Sequence, residues 1–265
     1  MASLDAGLHA LWHQIRELDN RVARGEPLEL TADVRDLLLR SAPTVAISTS
    51  EAEAAIAGVV TAAALLREIR KRIRVGSDRL GDAQLAMYEL QDAGDFAGAR
   101  KQLEDVLAVE VVPSYREQAE NALKELTRVA AVAASGHVDA SLDDWVQLPI
   151  LLHRVQQGNA LELNEGMRAF LRRVASSVAI SETEAAEALT SPMKAGALLG
   201  KIMGRINQGS ERLQSALVRM MRLRDAGNLE GARRQIQDVL AVEVIPKFRR
   251  EAEELLAGLD EPPRS

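Results

Sequence analysis

Apolar residues recur at spacings of three and four along most of the chain, the pattern of helices that each bury one stripe. Leu11, Ile15, Leu18 and Val22 make such a stripe in a first helix expected to stop before Gly25. A second helix starts after Thr31, a good N-cap, carries Val34, Leu37 and Leu38, and is expected to end at Pro43, which lacks an N–H and clashes with the preceding turn. Its twin follows Asn164. Ser48 with Glu51, and Ser181 with Glu184, have capping-box spacing and predict the start of a third helix. Between them, VAIS at 45–48 and 178–181 predicts an extended connector, with LEL at 28–30 and 161–163 as its partner in a minor ribbon. A fourth helix through Ala62, Leu66, Ile69 and Ile73 is expected to end at Gly76 as a left-handed C′ glycine, and Ser77 then caps a fifth carrying Leu80, Ala83, Met87 and Leu90. Gly-Ser here, and at 209–210, is punctuation between antiparallel helices, because it lacks the other glycines and the lysine of a phosphate loop. After Gly94 comes a helix with Leu103, Val106 and Leu107, expected to stop at Pro113, and then a last one through Tyr115, Ala119, Leu123 and Leu126.

The pattern is written twice. DAGDFAGARKQLEDVLAVEVVP, Asp92 to Pro113, returns as DAGNLEGARRQIQDVLAVEVIP, Asp225 to Pro246. Sliding the chain on itself by 133 residues aligns Trp12 with Trp145 and Leu126 with Leu259 without a gap, and about 54 of the 115 pairs are identical. Loops tolerate insertions most readily, so gapless agreement implies duplicated domains with matching helix and loop lengths. The period is too long for a solenoid repeat. The expectation is an all-α protein of two homologous helical domains in tandem, each of about six or seven short helices. Their bounds are 1–134 and 142–259, with a linker at 135–141 and a polar tail at 260–265 too rich in proline and charge to pack.

Each copy plants a carboxylate in the apolar run VLAVEV. Glu110 lies seven residues after Leu103 and three after Leu107, on or beside the buried stripe, and Glu243 repeats the placement behind Ile236 and Leu240. A buried carboxylate needs partners, and a place near a helix C-terminus adds an unfavourable dipole contribution. Basic residues present in both copies are the candidates: Arg72 and Arg205, Arg79 and Arg212, Arg100 and Arg233, Arg116 and Arg249. The expected arrangement is a structural Arg to Glu bridge fixing how the last two helices dock, with a ligand-contacting acid as the alternative.

Composition narrows the chemistry. The chain has no cysteine, which removes disulfides, thiolate metal sites and thiol nucleophiles and suits the cytoplasm. No apolar run is long enough to span a membrane, and MASLDAGLHALW lacks the form of an export signal. Net charge is −6, so general affinity for nucleic acid has little support. The local exception is REIRKRIR, where Arg67, Arg70, Lys71 and Arg74 are a possible polyanion contact on a solvated helix face. Histidines 9, 13, 137 and 153 have no counterparts across the repeat, and no metalloprotease, nucleophile-elbow or dinucleotide motif occurs. No enzyme activity, cofactor or metal is therefore expected. The acidic pairs Glu104 with Asp105 and Asp143 with Asp144 suggest solvated faces, and Trp12 and Trp145 suggest core anchors.

The phrase AGDFAGA locally resembles the helix-pair turn of tetratricopeptide repeats, without their period. More extensively, ISTSEAEAAI, LLREIRKRIRVGSDRL and ELQDAGDFAGARKQLEDVLAVEVVPSYREQAE, with their second-copy partners, resemble the DUSAM domain, a myxobacterial paralogous family of unassigned function. The resemblance implies tandem domains and carries no catalytic residue. Repeated core with divergent surface points to a non-catalytic protein-interaction module with an unknown protein partner. The alternatives are a regulatory protein binding nucleic acid or another polyanion through Arg67 to Arg74, and an immunity-like protein that neutralises a toxin.

Overall fold

The computed structural model describes residues 2–259, with side chains from residue 6; the expected tail at 260–265 lies outside the described residues. Among the described residues there are twelve α-helices and no strand, and the chain falls into two compact units, Met1–Thr127 and Arg128–Ser265. The first copy supplies α1 Ala2–Ala23, α2 Ala32–Thr44, α3 Thr49–Ala55, α4 Val59–Asp92, α5 Phe96–Val109 and α6 Pro113–Ser135. The second supplies α7 Asp144–Gln156, α8 Glu165–Ser177, α9 Glu182–Ala188, α10 Pro192–Asp225, α11 Leu229–Val242 and α12 Pro246–Gly258. Helix α6 carries the chain past the division, and the non-helical stretch 136–143 follows it.

Each copy has six helices because two of the predicted ones are fused. Helix α4 runs unbroken for 34 residues through Gly76, and α10 does the same through Gly209. The expectation that Gly76 ends a helix was wrong for a packing reason. A Cβ on Gly76 would lie 2.5 Å from Cδ2 of Tyr115, and one on Gly209 would lie 2.5 Å from Cδ2 of Phe248. The glycine lets an aromatic ring rest on the helix backbone, which compensates its intrinsic cost of about 1 kcal/mol in a helix interior.

Pro43 was also misread as a stop. Pro43 lies inside the last turn of α2, and α8 ends at the matching residue with Ser176 in the proline's place. The reversal is made instead by Ala46 and Ala179, both at φ 59°. The Ile47 amide donates to the Ala42 carbonyl at 3.0 Å and the Ala46 amide to that of Pro43 at 3.1 Å, the two bonds of a left-handed C-terminal cap. VAIS is thus a helix terminus and forms no ribbon with LEL. Pro113 and Pro246 open α6 and α12, where a missing N–H costs nothing.

Ser48 and Glu51 complete the capping box at α3. At α9 only half of it forms: Ser181 accepts from the Glu184 amide at 3.3 Å, while the Glu184 carboxylate turns to Lys201. In the first unit Ile15, Leu38, Leu66 and Ile69 are fully buried where α1, α2 and α4 meet, and a separate cluster of Met87, Ala99, Leu103 and Leu126 packs farther along α4. Leu107 and Leu240 are only half-buried, so they border the helix interface that they were expected to fill.

Candidate functional site

Two polar constellations stand out, one shared by both units and one confined to the first. The shared one is built on Glu110 and Glu243, each only 3% exposed. One Glu110 oxygen accepts from the Val111 and Val112 amides at 2.9 and 2.8 Å, while the other meets Arg79 Nη1 at 2.7 Å. Glu243 repeats the set with Val244, Ile245 and Arg212, the last at 2.6 Å. The residue caps the C-terminus of α5, yet its carboxylate binds the amides just before α6, so the expected dipole penalty does not apply. Above it, Tyr115 donates its hydroxyl to the Ile73 carbonyl at 3.1 Å, and burial pushes the phenol above its ordinary pKa. Buried and bonded on both oxygens, this acid is arranged to hold α4, α5 and α6 together.

The remaining candidate arginines do different work. Arg116 Nη1 donates to the Leu107 and Glu110 carbonyls at 2.7 and 2.9 Å, and Arg249 does so to Leu240 and Glu243 at 2.8 and 3.1 Å. Arg72 binds the Val45 and Ala46 carbonyls at 3.0 and 2.9 Å, and Arg205 binds Val178 at 2.8 Å. Each thus satisfies orphan carbonyls at a helix C-terminus. Arg100 reaches Thr127 Oγ1 at 2.9 Å, and Arg233 sits half-buried at the matching place on α11. Sequence reasoning missed Arg35 and Arg168, which clamp the carbonyls of Ile56 and Leu189 at 2.5 and 2.7 Å. Identity across the repeat was the signal that could have found them. Asp143 and Asp144 are also more than a solvated face: Asp143 caps α7, and Asp144 takes a two-pronged bond from Arg173 at 2.6 and 2.7 Å.

The second constellation is a pocket of about 470 Å³ between α1 and α4 of the first unit. Trp12, Ile73 and Tyr115 form its apolar part, with the two rings 5.4 Å apart and tilted by 55°. Trp12 is half-buried and ties its indole N–H to Thr44 at 2.9 Å, so it stands at the core's edge. The polar lining comprises His9, His13 and Arg16 from α1 and Arg70, Arg74, Ser77 and Asp78 from α4. Of the four basic residues singled out on this helix, Arg70 and Arg74 line the pocket, whereas Arg67 and Lys71 are exposed outside it. Arg67 bonds the Ala63 carbonyl of its own helix at 3.1 Å. The other two histidines are elsewhere: His137 faces Glu162 at 3.0 Å and His153 faces Gln157 at 2.7 Å.

These geometries accompany a duplication that a family comparison resolves independently: one family model matches residues 10–126 and again residues 143–259. The chain belongs to DUF2379. That family is described as proteins of unknown function, and each copy found here is one DUF2379 unit. Comparison with curated proteins and with solved structures gives no significant match. Among the described residues no helix is long and apolar enough to cross a membrane, and no group of three or more His, Asp or Glu side chains is placed to hold a metal ion. What the two DUF2379 units share, Glu110 and Glu243 with their arginines, is fully engaged in holding helices. Where they differ, at the α1 and α4 pocket, the side chains face solvent.

Proposed function

We propose that this DUF2379 protein is a non-catalytic protein-interaction module of the cytoplasm, with each unit presenting an apolar face to a protein partner. One observation carries the reading. Leu85, Tyr88, Val109 and Val111 are 49–62% exposed, and their counterparts Val218, Met221, Val242 and Val244 are 44–57% exposed. Single exposed apolar residues are ordinary, but the same four places holding large apolar side chains in water in both copies point to a use that folding does not explain. Leu85 and Tyr88, three apart on α4, share one helix face. The reducing compartment is argued from the absence of cysteine. The finer assignment as a tandem DUSAM protein rests on phrases such as ISTSEAEAAI and VLAVEV and belongs to this proposal.

The test is quantitative affinity capture from the native host, comparing the full chain with a variant carrying Leu85→Glu and Val218→Glu. Both substitutions fall on exposed sites, so circular dichroism should be unchanged. A protein retained by the wild type and lost by the variant is the expected result. Identical capture by both chains would remove the basis of the reading.

A further inference from the structure

At the pocket of the first unit the two copies differ sharply in chemistry. Shifting by 133 residues replaces His9, His13 and Arg16 by Leu142, Val146 and Pro149, and Arg70 and Arg74 by Met203 and Asn207. The apolar part persists as Trp145, Ile206 and Phe248, and the acid Asp78 persists as Glu211. These five basic or imidazole side chains are therefore gone from the second copy while the frame stays, and the cation at its tryptophan is Lys247, which stands in the place of Ser114 and lies 4.5 Å from the centre of the Trp145 ring. The fold does not require them, because the second unit builds the same helices without them. Nor does overall charge explain them. The first 133 residues carry 16 basic and 21 acidic residues, so the cations collect at one concave spot of an acidic unit.

Partners within the protein do not use up the three arginines. Among the described residues neither Arg70 nor Arg74 forms an ion pair with a carboxylate, and Arg16 has only a distant contact with Glu17 at 4.0 Å. Three guanidiniums against one carboxylate, Asp78, leave an excess of positive charge beside an aromatic wall. A concave site with apolar lining and a few convergent polar groups is what a small ligand requires, and guanidiniums in particular match phosphate oxygens in paired bonds. A nucleic-acid strand would instead need cations strung along a surface, and Arg67 and Lys71, which would extend the row, stand outside the pocket.

We propose that the pocket between α1 and α4 of the first unit binds a small phosphorylated molecule bearing two or more negative charges, held by Arg16, Arg70 and Arg74 beside Trp12. This site is separate from the apolar positions invoked above, and either can fail without the other. The second unit keeps the frame of the site without the three guanidiniums.

The chain contains two tryptophans, one per unit, which supplies the readout. In the 265-residue chain carrying Trp145→Phe, Trp12 fluorescence is titrated with inorganic pyrophosphate at constant ionic strength, with sodium sulfate as the control anion. Calorimetric titration of the unaltered chain with pyrophosphate gives a second measurement that does not depend on the tryptophan variant. The expected result is saturable binding, weakened at least tenfold by Arg70→Met with Arg74→Asn and unchanged by Arg67→Ala with Lys71→Ala. The first pair copies the residues of the second unit, so it is compatible with the fold, and an unshifted melting curve verifies this. No saturable signal up to about 10 mM pyrophosphate, an equal response to sulfate, or indifference to the Arg70 and Arg74 changes would each overturn the proposal. So would tighter binding of a single-stranded oligonucleotide that depends equally on Arg67 and Lys71, which would assign the cations to a nucleic-acid surface.

Discussion

The surroundings of Glu110 and the pocket beside Trp12 lie on neighbouring turns of α4 and have opposite histories across the duplication. At the first, Glu110, Arg79, Gly76 and Arg116 are matched by Glu243, Arg212, Gly209 and Arg249, with hydrogen bonds that agree to within about 0.2 Å. At the second, a few residues away, five basic or imidazole side chains are replaced by neutral ones. A side chain whose every polar atom is spoken for cannot change alone, whereas one that faces water changes freely unless something outside the chain constrains it. The contrast separates what the fold demands from what one unit has kept for another purpose.

The sharpest way to break the contrast is to strand the buried acid. Arg79→Met leaves Glu110 with its two amides and no counter-charge, and should destabilise the first unit by about 3 kcal/mol, the lower end for breaking a buried pair because about a third of Arg79 stays in water. Urea unfolding followed through Trp12 in the Trp145→Phe background reads this out, and Arg212→Met followed through Trp145 should match it. A neutral result in both would show that the bridge is incidental. Next in size is Gly76→Ala. Helix propensity alone favours the alanine by about 1 kcal/mol, but the ring of Tyr115 occupies the space, and overpacking should turn the change into a net loss of about 1 to 3 kcal/mol. Adding Tyr115→Ala to Gly76→Ala should remove the clash and restore the propensity gain, and failure to couple would refute the packing account.

The smallest effect concerns pH. Burial raises the Tyr115 phenol above its ordinary value, so the folded first unit holds that proton more tightly than its unfolded chain does. The resulting stabilisation is complete below the unfolded value of about 10 and is lost as pH rises through the folded value. Phe248 has no such group. Above pH 10 the first unit should therefore lose stability relative to the second, and Tyr115→Phe should close the gap; parallel decline of the two units would contradict it.

Much of this was legible from residue order. The helices, their starts at Thr31, Ser48 and Asn164, and the tandem arrangement follow from spacing and capping chemistry, which act over a few residues. The failures share a cause. Gly76 and Pro43 are local breakers by propensity, and each was overruled by a contact distant in sequence or by a cap placed further on. The partner of Glu110 was narrowed to four arginines, and choosing Arg79 needed the 31-residue separation to be closed in space. The pocket was half visible: Arg70 and Arg74 were noticed as charge, but their company with His9, His13 and Arg16 requires the packing of α1 on α4.

The fusion of two expected helices into α4 has a mechanical outcome. Thirty-four residues make a rod of about 51 Å, embedded in the large apolar cluster from Ala62 to Ala83 and supported over its last turns, from Met87, by the smaller one around Leu103. Amide protons along that rod should exchange at graded rates, slow near Leu66 and faster toward Tyr88, so the end that bears the solvent-facing leucine and tyrosine can fray and re-form while its anchored end keeps the unit folded.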